Sequence, residues 1–205
     1  GSVYEIADLP GVLKKALKLG DWDGFAKRRA QSAAAGKLRG IGISTVIENT
    51  GAGNADKDEI ELRLGANGVI EVHTVTKAQG HGHETTFAAI VADALGIEHA
   101  EVKIVQCAPG ITLQGNHVGG SRSAVGAGGV CHLAALKLID EGKALAALEL
   151  KLEPSQINYS AGVFSSAQSP RTVKLAELAK AKTVSVVAEG KFGSTFPNGC
   201  HIAEV

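Results

Sequence analysis

Charge of neither sign predominates in this 205-residue sequence, where 21 Lys and Arg balance 21 Asp and Glu. A global field for nucleic acid or an anionic membrane is therefore excluded, and any anion must be recognised locally. Cysteine is scarce: Cys107, Cys131 and Cys200 stand far apart and form no CxxC pair. Neither a disulfide framework nor a zinc or iron–sulfur knuckle is signalled, and a reducing, cytoplasmic setting fits this usage. No apolar run reaches the ~18 residues of a spanning helix, and the opening "GSVYEIADLPG" lacks the layout of a signal peptide. Internal repeats, heptads and low-complexity linkers are missing as well.

What is present suits one substantial core or at most two small ones, with a single compact piece as the default. Gly1 and Ser2 read as a cloning scar, and "FPNGCHIAEV" stops on an apolar, strand-like pattern. The expectation is a piece of something longer.

The pattern "DLPGVLKKALKLG" predicts a helix, with Pro10 in its first turn and Gly20 as its stop. A second helix is expected in "DWDGFAKRRAQSAAAG", capped by Asp23 and ended by Gly36. "KLRGIGISTVIENTG" predicts a strand whose glycines permit close backbone approach. "EIELRLGANGVIEVHTVT" predicts a hairpin, with Asn67-Gly68 supplying positive φ angles. From Thr85, the stripe Phe87, Ala88, Ile90, Val91, Ala94 and Leu95 predicts a helix that stops at Gly96. "AEVKIVQCA" follows as a strand, and the stretch from Gly119 to Leu152 predicts one long helix or two consecutive ones. Gly126, Ala127, Gly128 and Gly129 weaken that helix by about 1 kcal/mol per Gly relative to Ala, which implies a close neighbour. A strand near Ile157–Phe164, a helix in "TVKLAELAKA" and a strand in "TVSVVAEG" complete an α+β chain, with a mixed sheet, a hairpin and packed helices.

Chemistry concentrates in two places. In "QGHGHETT", Gly80 and Gly82 free the backbone just before a helix whose orphan N–H groups and dipole favour an anion. In "GNHVGGSRSAVGAGG", Gly119 and Gly120 precede Ser121, Arg122 and Ser123 at what reads as another helix start; hydroxyls and a guanidinium suit a phosphate. Together they point to a phosphate-bearing ligand held between two helix starts. An ordinary capped turn explains either one alone. Neither is a Walker loop or a GxGxxG turn. A divalent metal on His81, His83 and Glu84, with His117, is the rival reading, although His-x-His is a poor spacing for one helix. Ser121 or Cys107 as a nucleophile beside a histidine lacks the Gly-x-Ser-x-Gly elbow of a hydrolase.

"GHGHETTFAAIVADALGI", "GGSRSAVGAGG" and the terminal "FPNGCHIAEV" resemble the large, molybdenum-binding subunit of the xanthine dehydrogenase, aldehyde oxidase and aerobic carbon monoxide dehydrogenase family. The segment up to "GISTVIENTG" is similar to the stretch entering that subunit's second molybdopterin-binding domain. The resemblance implies that residues 3–205 are part of this domain, with 3–36 a helical entry segment and 37–205 the α+β cofactor-binding core. It implies molybdopterin, in the cytosine dinucleotide form common among bacterial members, with Gly80, His81, Gly82, Thr85, Gly120, Ser121, Arg122 and Ser123 as contacts. The implied partners are the rest of the molybdenum subunit, iron–sulfur and flavin subunits or domains, and a small-molecule substrate. The implied chemistry is insertion of water-derived oxygen into an aldehyde, a heterocycle or a similar compound.

Two departures qualify it. The family's usual "GQGHET" has glutamine where this chain has His81, which exchanges a neutral donor and acceptor for a titrating ring. The family's Gly-x-Gly-Glu element with the catalytic glutamate has no counterpart here, and Glu84 does not replace it. The chain is therefore expected to carry no catalytic residue and no metal ligand, and to be inactive alone. Self-association through faces left uncovered is expected too. The alternatives are a non-catalytic phosphate- or pterin-dinucleotide-binding module and a divalent-metal protein.

Overall fold

The computed structural model describes residue 4 and residues 8–51, 55–180 and 183–205. Gly1 and Ser2, read above as a cloning scar, lie outside the described residues. The chain divides into two compact units, Gly1–Thr50 with Ser194–Val205, and Gly51–Gly193.

In the first unit, helix α1 (Leu9–Leu19) begins where the Asp8 carboxylate accepts the Gly11 N–H at 2.9 Å, and it carries Pro10 in its first turn. Helix α2 (Phe25–Ala34) starts behind Gly24 with no side-chain cap, so Asp23 does not take the expected role. Its neighbour Asp21 instead pairs with Arg28 of α2 at 2.5 Å. Gly36, at φ +71°, ends the helix as expected. Strand β1 (Ile41–Ile47) pairs antiparallel with β9 (Asn198–Glu204) in a two-stranded ribbon. The close approach expected at Gly42 is not found, since a Cβ there would meet nothing within 4 Å. Arg28 and Arg39 both bind the Glu204 carboxylate, at 2.6 and 2.7 Å, and tie α2 to the ribbon.

The second unit is built on β2 (Asp58–Leu64), β3 (Ile70–Thr74), β4 (Val102–Gln106) and β8 (Val184–Gly190), in the order β4-β3-β2-β8. β2 alternates strictly, so Asp58, Ile60, Leu62 and Leu64 share the buried face. Its hairpin with β3 turns at residues 65–69, but only Gly68 has a positive φ (+80°); Asn67 stays at negative φ and accepts the Val69 N–H through Oδ1. β3 and β4 are parallel, joined by helix α3 (His83–Leu95), which ends at left-handed Gly96 as its pattern predicts. Helix α4 (Ala127–Leu150) is one continuous element. Its glycines do admit close neighbours: a Cβ on Gly128 would lie 3.1 Å from Ile90 of α3, and one on Gly129 2.6 Å from the Phe192 ring. Phe87, Val91 and Leu95 of α3 and Val130, Ala134 and Leu138 of α4 close the core over β2 and β3. Fully burying each of the larger side chains contributes roughly 1.5–3 kcal/mol.

A small antiparallel sheet holds β5 (Asn158–Ser160), β6 (Val163–Ser166) and β7 (Ser169–Lys174). The expected helix in "TVKLAELAKA" is overturned here. Val173 pairs with Phe164 and is buried, Leu175 is buried in a short 3-10 turn, and this pairing outweighs the local helix propensity of Leu, Ala and Glu. Among the described residues no helix is long and apolar enough to cross a membrane.

Candidate cofactor site

Parallel strands deliver their following loops to the same end of a sheet, the usual location of ligand sites in parallel α/β units. In the second unit the loop after β3 (residues 75–82) and the loop after β4 (residues 107–126) carry the two glycine motifs. They are stitched together: Cys107 N–H donates to Thr74 O at 2.8 Å, Cys107 Sγ to Val75 O, and Thr76 Oγ1 to Asn116 O at 2.8 Å. Asp58 begins β2, antiparallel to β3, and so lies at this end as well. Its buried carboxylate accepts Asn116 N–H at 2.7 Å and Asn116 Nδ2 at 3.2 Å. A Cβ on Gly126, just ahead of α4, would come within 2.5 Å of the Asp58 carboxylate, so only glycine lets the loop wrap it.

The first motif has the geometry of a helix start. Gln79, Gly80 and Gly82 all have positive φ, and Gly82 precedes α3 in a left-handed conformation. A Cβ on Gly80 or Gly82 would meet no atom within 4 Å, so this backbone faces open space. Thr85 N–H turns back to Gly82 O at 3.0 Å; the amides before it have no acceptor within the helix. His81 donates its N–H to Ala78 O at 2.7 Å, and its Nδ1 lies 2.9 Å from the same oxygen. A carbonyl only accepts, so a hydrogen bond here requires the tautomer with the proton on Nδ1. His83 is 3% exposed, stacks on Phe87 at 4.5 Å and leaves Nδ1 buried without a partner. Glu84 and Thr85 are exposed.

The second motif is not a helix start. α4 begins at Ala127, and Ser121, Arg122 and Ser123 lie in the turns ahead of it, because Gly119, Gly120 and Ser121 all take positive φ (+147°, +57° and +50°) and reverse the chain first. Successive amides in such a turn form an anion-binding concavity. Arg122 folds back over it, with Nε donating to Gly119 O at 2.6 Å. Its Nη1 and the Ser123 hydroxyl are buried with no partner. A buried guanidinium N–H without an acceptor costs on the order of 1–3 kcal/mol, and a phosphate oxygen would satisfy it. The donor set thus fits an anionic cofactor.

Among the described residues, no three His, Cys, Asp or Glu side chains come together as a metal ligand set. His81 and His83 lie 6.1 Å apart between ring centroids. Cys131 is buried in α4, where desolvation pushes its thiol up to about 12, away from any nucleophilic role.

Three residues escaped sequence reasoning. Asp58 left a signal, an acid in phase with the buried face of β2. Asn116 left none, and neither did Gln106, whose amide accepts the Ala78 N–H and donates to the Glu84 carboxylate, since their roles come from partners far away in the chain.

The model of the molybdopterin cofactor-binding domain matches residues 15–205. The carbon monoxide dehydrogenase large chain of Afipia carboxidovorans is 31% identical over 97% of this chain, and the nicotine 6-hydroxylase large subunit of Paenarthrobacter nicotinovorans 29% identical over 88%. The chain spans about a quarter of the length of these relatives, 25% and 24% respectively. Among solved structures, quinoline 2-oxidoreductase from Pseudomonas putida 86 superposes over the whole chain with a TM-score of 0.81 at 26% identity, covering 29% of that protein. The aldehyde oxidoreductase of Desulfovibrio gigas shares the fold, with a TM-score of 0.70 at 19% identity. This chain belongs to the molybdopterin cofactor-binding domain family of molybdenum hydroxylase large subunits.

Proposed function

We propose that residues 3–205 grip the phosphate-bearing part of molybdopterin within a larger molybdenum hydroxylase subunit, with 3–36 leading into the cofactor-binding core at 37–205. The observation that carries the reading is the unpartnered, buried Arg122 Nη1 beside the left-handed turn at Gly119–Ser121. Gly80, His81, Gly82 and Thr85 form one wall of the contact, and Gly120, Ser121, Arg122 and Ser123 the other. Two separate donor clusters suit a pyrophosphate better than a single phosphate, which favours a dinucleotide form; that its base is cytosine rests on the family resemblance alone.

When bound, the molybdenum cofactor supplies the two-electron oxidation that accompanies insertion of water-derived oxygen into an aldehyde, a heterocycle or a similar substrate. This chain binds and orients; none of its residues is proposed as catalytic. The remainder of the subunit and iron–sulfur and flavin partners complete the enzyme, in a cytoplasmic setting consistent with three free cysteines.

The test is Arg122→Ala in the full subunit. Loss of a charge-assisted bond costs about 1.5–3 kcal/mol, a ~10- to 150-fold weaker hold. Molybdenum and cytidine content per subunit should fall; unchanged content overturns the assignment.

A further inference from the structure

Gln106 closes β4 at the foot of the turn before α3, and both ends of its amide are engaged. Oε1 accepts the Ala78 N–H at 2.6 Å, while Nε2 donates to the Glu84 carboxylate. Glu84 is the second residue of α3. A carboxylate in a first helical turn is drawn to the same orphan amides and dipole that attract an anionic ligand, and so competes with it.

We propose that Gln106 is a positioning residue that holds Glu84 away from the α3 amides and keeps this helix start open for the phosphate groups of the ligand. The inference rests on the cofactor reading above and deepens it. Ala78 makes the arrangement tighter, because its carbonyl accepts both the backbone N–H and Nδ1–H of His81. One side chain therefore restrains the competing acid and, through Ala78, the His81 ring proposed above as a ligand contact. Only a side-chain tip with both an acceptor and a donor does this. Leucine offers neither, and glutamate cannot donate to Glu84.

The experiment titrates inorganic pyrophosphate calorimetrically into the 205-residue chain, into Gln106→Leu and into Gln106→Leu combined with Glu84→Gln. Binding should weaken about tenfold in the single variant and return to within about twofold of the parent in the double one, since the competing charge is gone. Equal weakening in both variants means that Gln106 merely stiffens the loop, and overturns the proposal; so does unaltered binding in Gln106→Leu. Hydrogen exchange gives a ligand-free arm. Ala78 N–H should lose protection in Gln106→Leu, and retained protection overturns the restraint itself. A parent chain that binds no pyrophosphate overturns the cofactor reading and the ligand half of this proposal, while Ala78 exchange still decides the other half.

Discussion

The Asp58 carboxylate and the Asn116 backbone, 58 positions apart in the chain, meet at 2.7 Å in a place where both residues are buried. This contact fixes the long loop after β4 to the first residue of β2. The Asn116 side chain then reaches on to the Ala55 N–H at 2.8 Å.

Replacing Asp58 by Leu strands the Asn116 N–H in the interior. A hydrogen bond to a charged group contributes about 1.5–3 kcal/mol, and the variant should lose stability of that order. Asp58→Asn keeps an acceptor and should recover part of the loss. Urea midpoints at constant slope measure both; equal midpoints for Asp58→Leu and the parent would contradict the role.

Gly142 makes a test in which two effects oppose. Glycine inside a helix is usually worse than alanine by roughly 0.5–1 kcal/mol. At this position, however, a Cβ would run into the ring of Phe164, which is fully buried and has nowhere to move. Overpacking costs about 1–3 kcal/mol, so the clash wins and Gly142→Ala should lower the melting temperature. Adding Phe164→Leu should relieve the overlap. A higher melting temperature for Gly142→Ala alone would refute the packing argument.

Glu204 governs acid sensitivity in the first unit. Hydrogen bonds from Arg28 and Arg39 hold its carboxyl down to about 2, against an ordinary value of 4.5. The folded form thus binds its proton less readily than the unfolded form. The resulting stabilisation is complete above pH 4.5 and is lost as pH falls toward 2. Stability measured across that window should decline less steeply in Glu204→Gln than in the parent, and parallel slopes would sink the assignment.

Much of this was legible from patterns of short range. The stripe from Phe87 to Leu95 with Gly96 behind it, and the alternation of Ile60, Leu62 and Leu64, each describe one face of one element, so spacing alone identifies them. Gly36 acts within a turn of its own helix and was readable for the same reason. Readings failed where a partner outside the window decided. "TVKLAELAKA" has a helical composition through its Leu, Ala and Glu residues, yet pairing of Val173 with β6 and burial of Val173 and Leu175 make its start extended and then a tight turn. "GGSRS" reads as a helix start, with two glycines ahead of hydroxyl and guanidinium side chains; three consecutive positive φ angles reverse the chain instead, and the helix begins at Ala127.

The sequence by itself determined the α+β class, most element positions and the two glycine motifs, because propensity, periodicity and turn chemistry act over a few residues. Tertiary structure alone decided that both motif loops lie at the carboxyl ends of neighbouring parallel strands, and that Gln106 and Asp58 tether those loops. It also decided that His81 Nδ1 lies against the Ala78 carbonyl oxygen, 2.9 Å away. Hydrogen bonds between residues distant in the chain form only once the sheet has set their separation, and no local pattern encodes that distance.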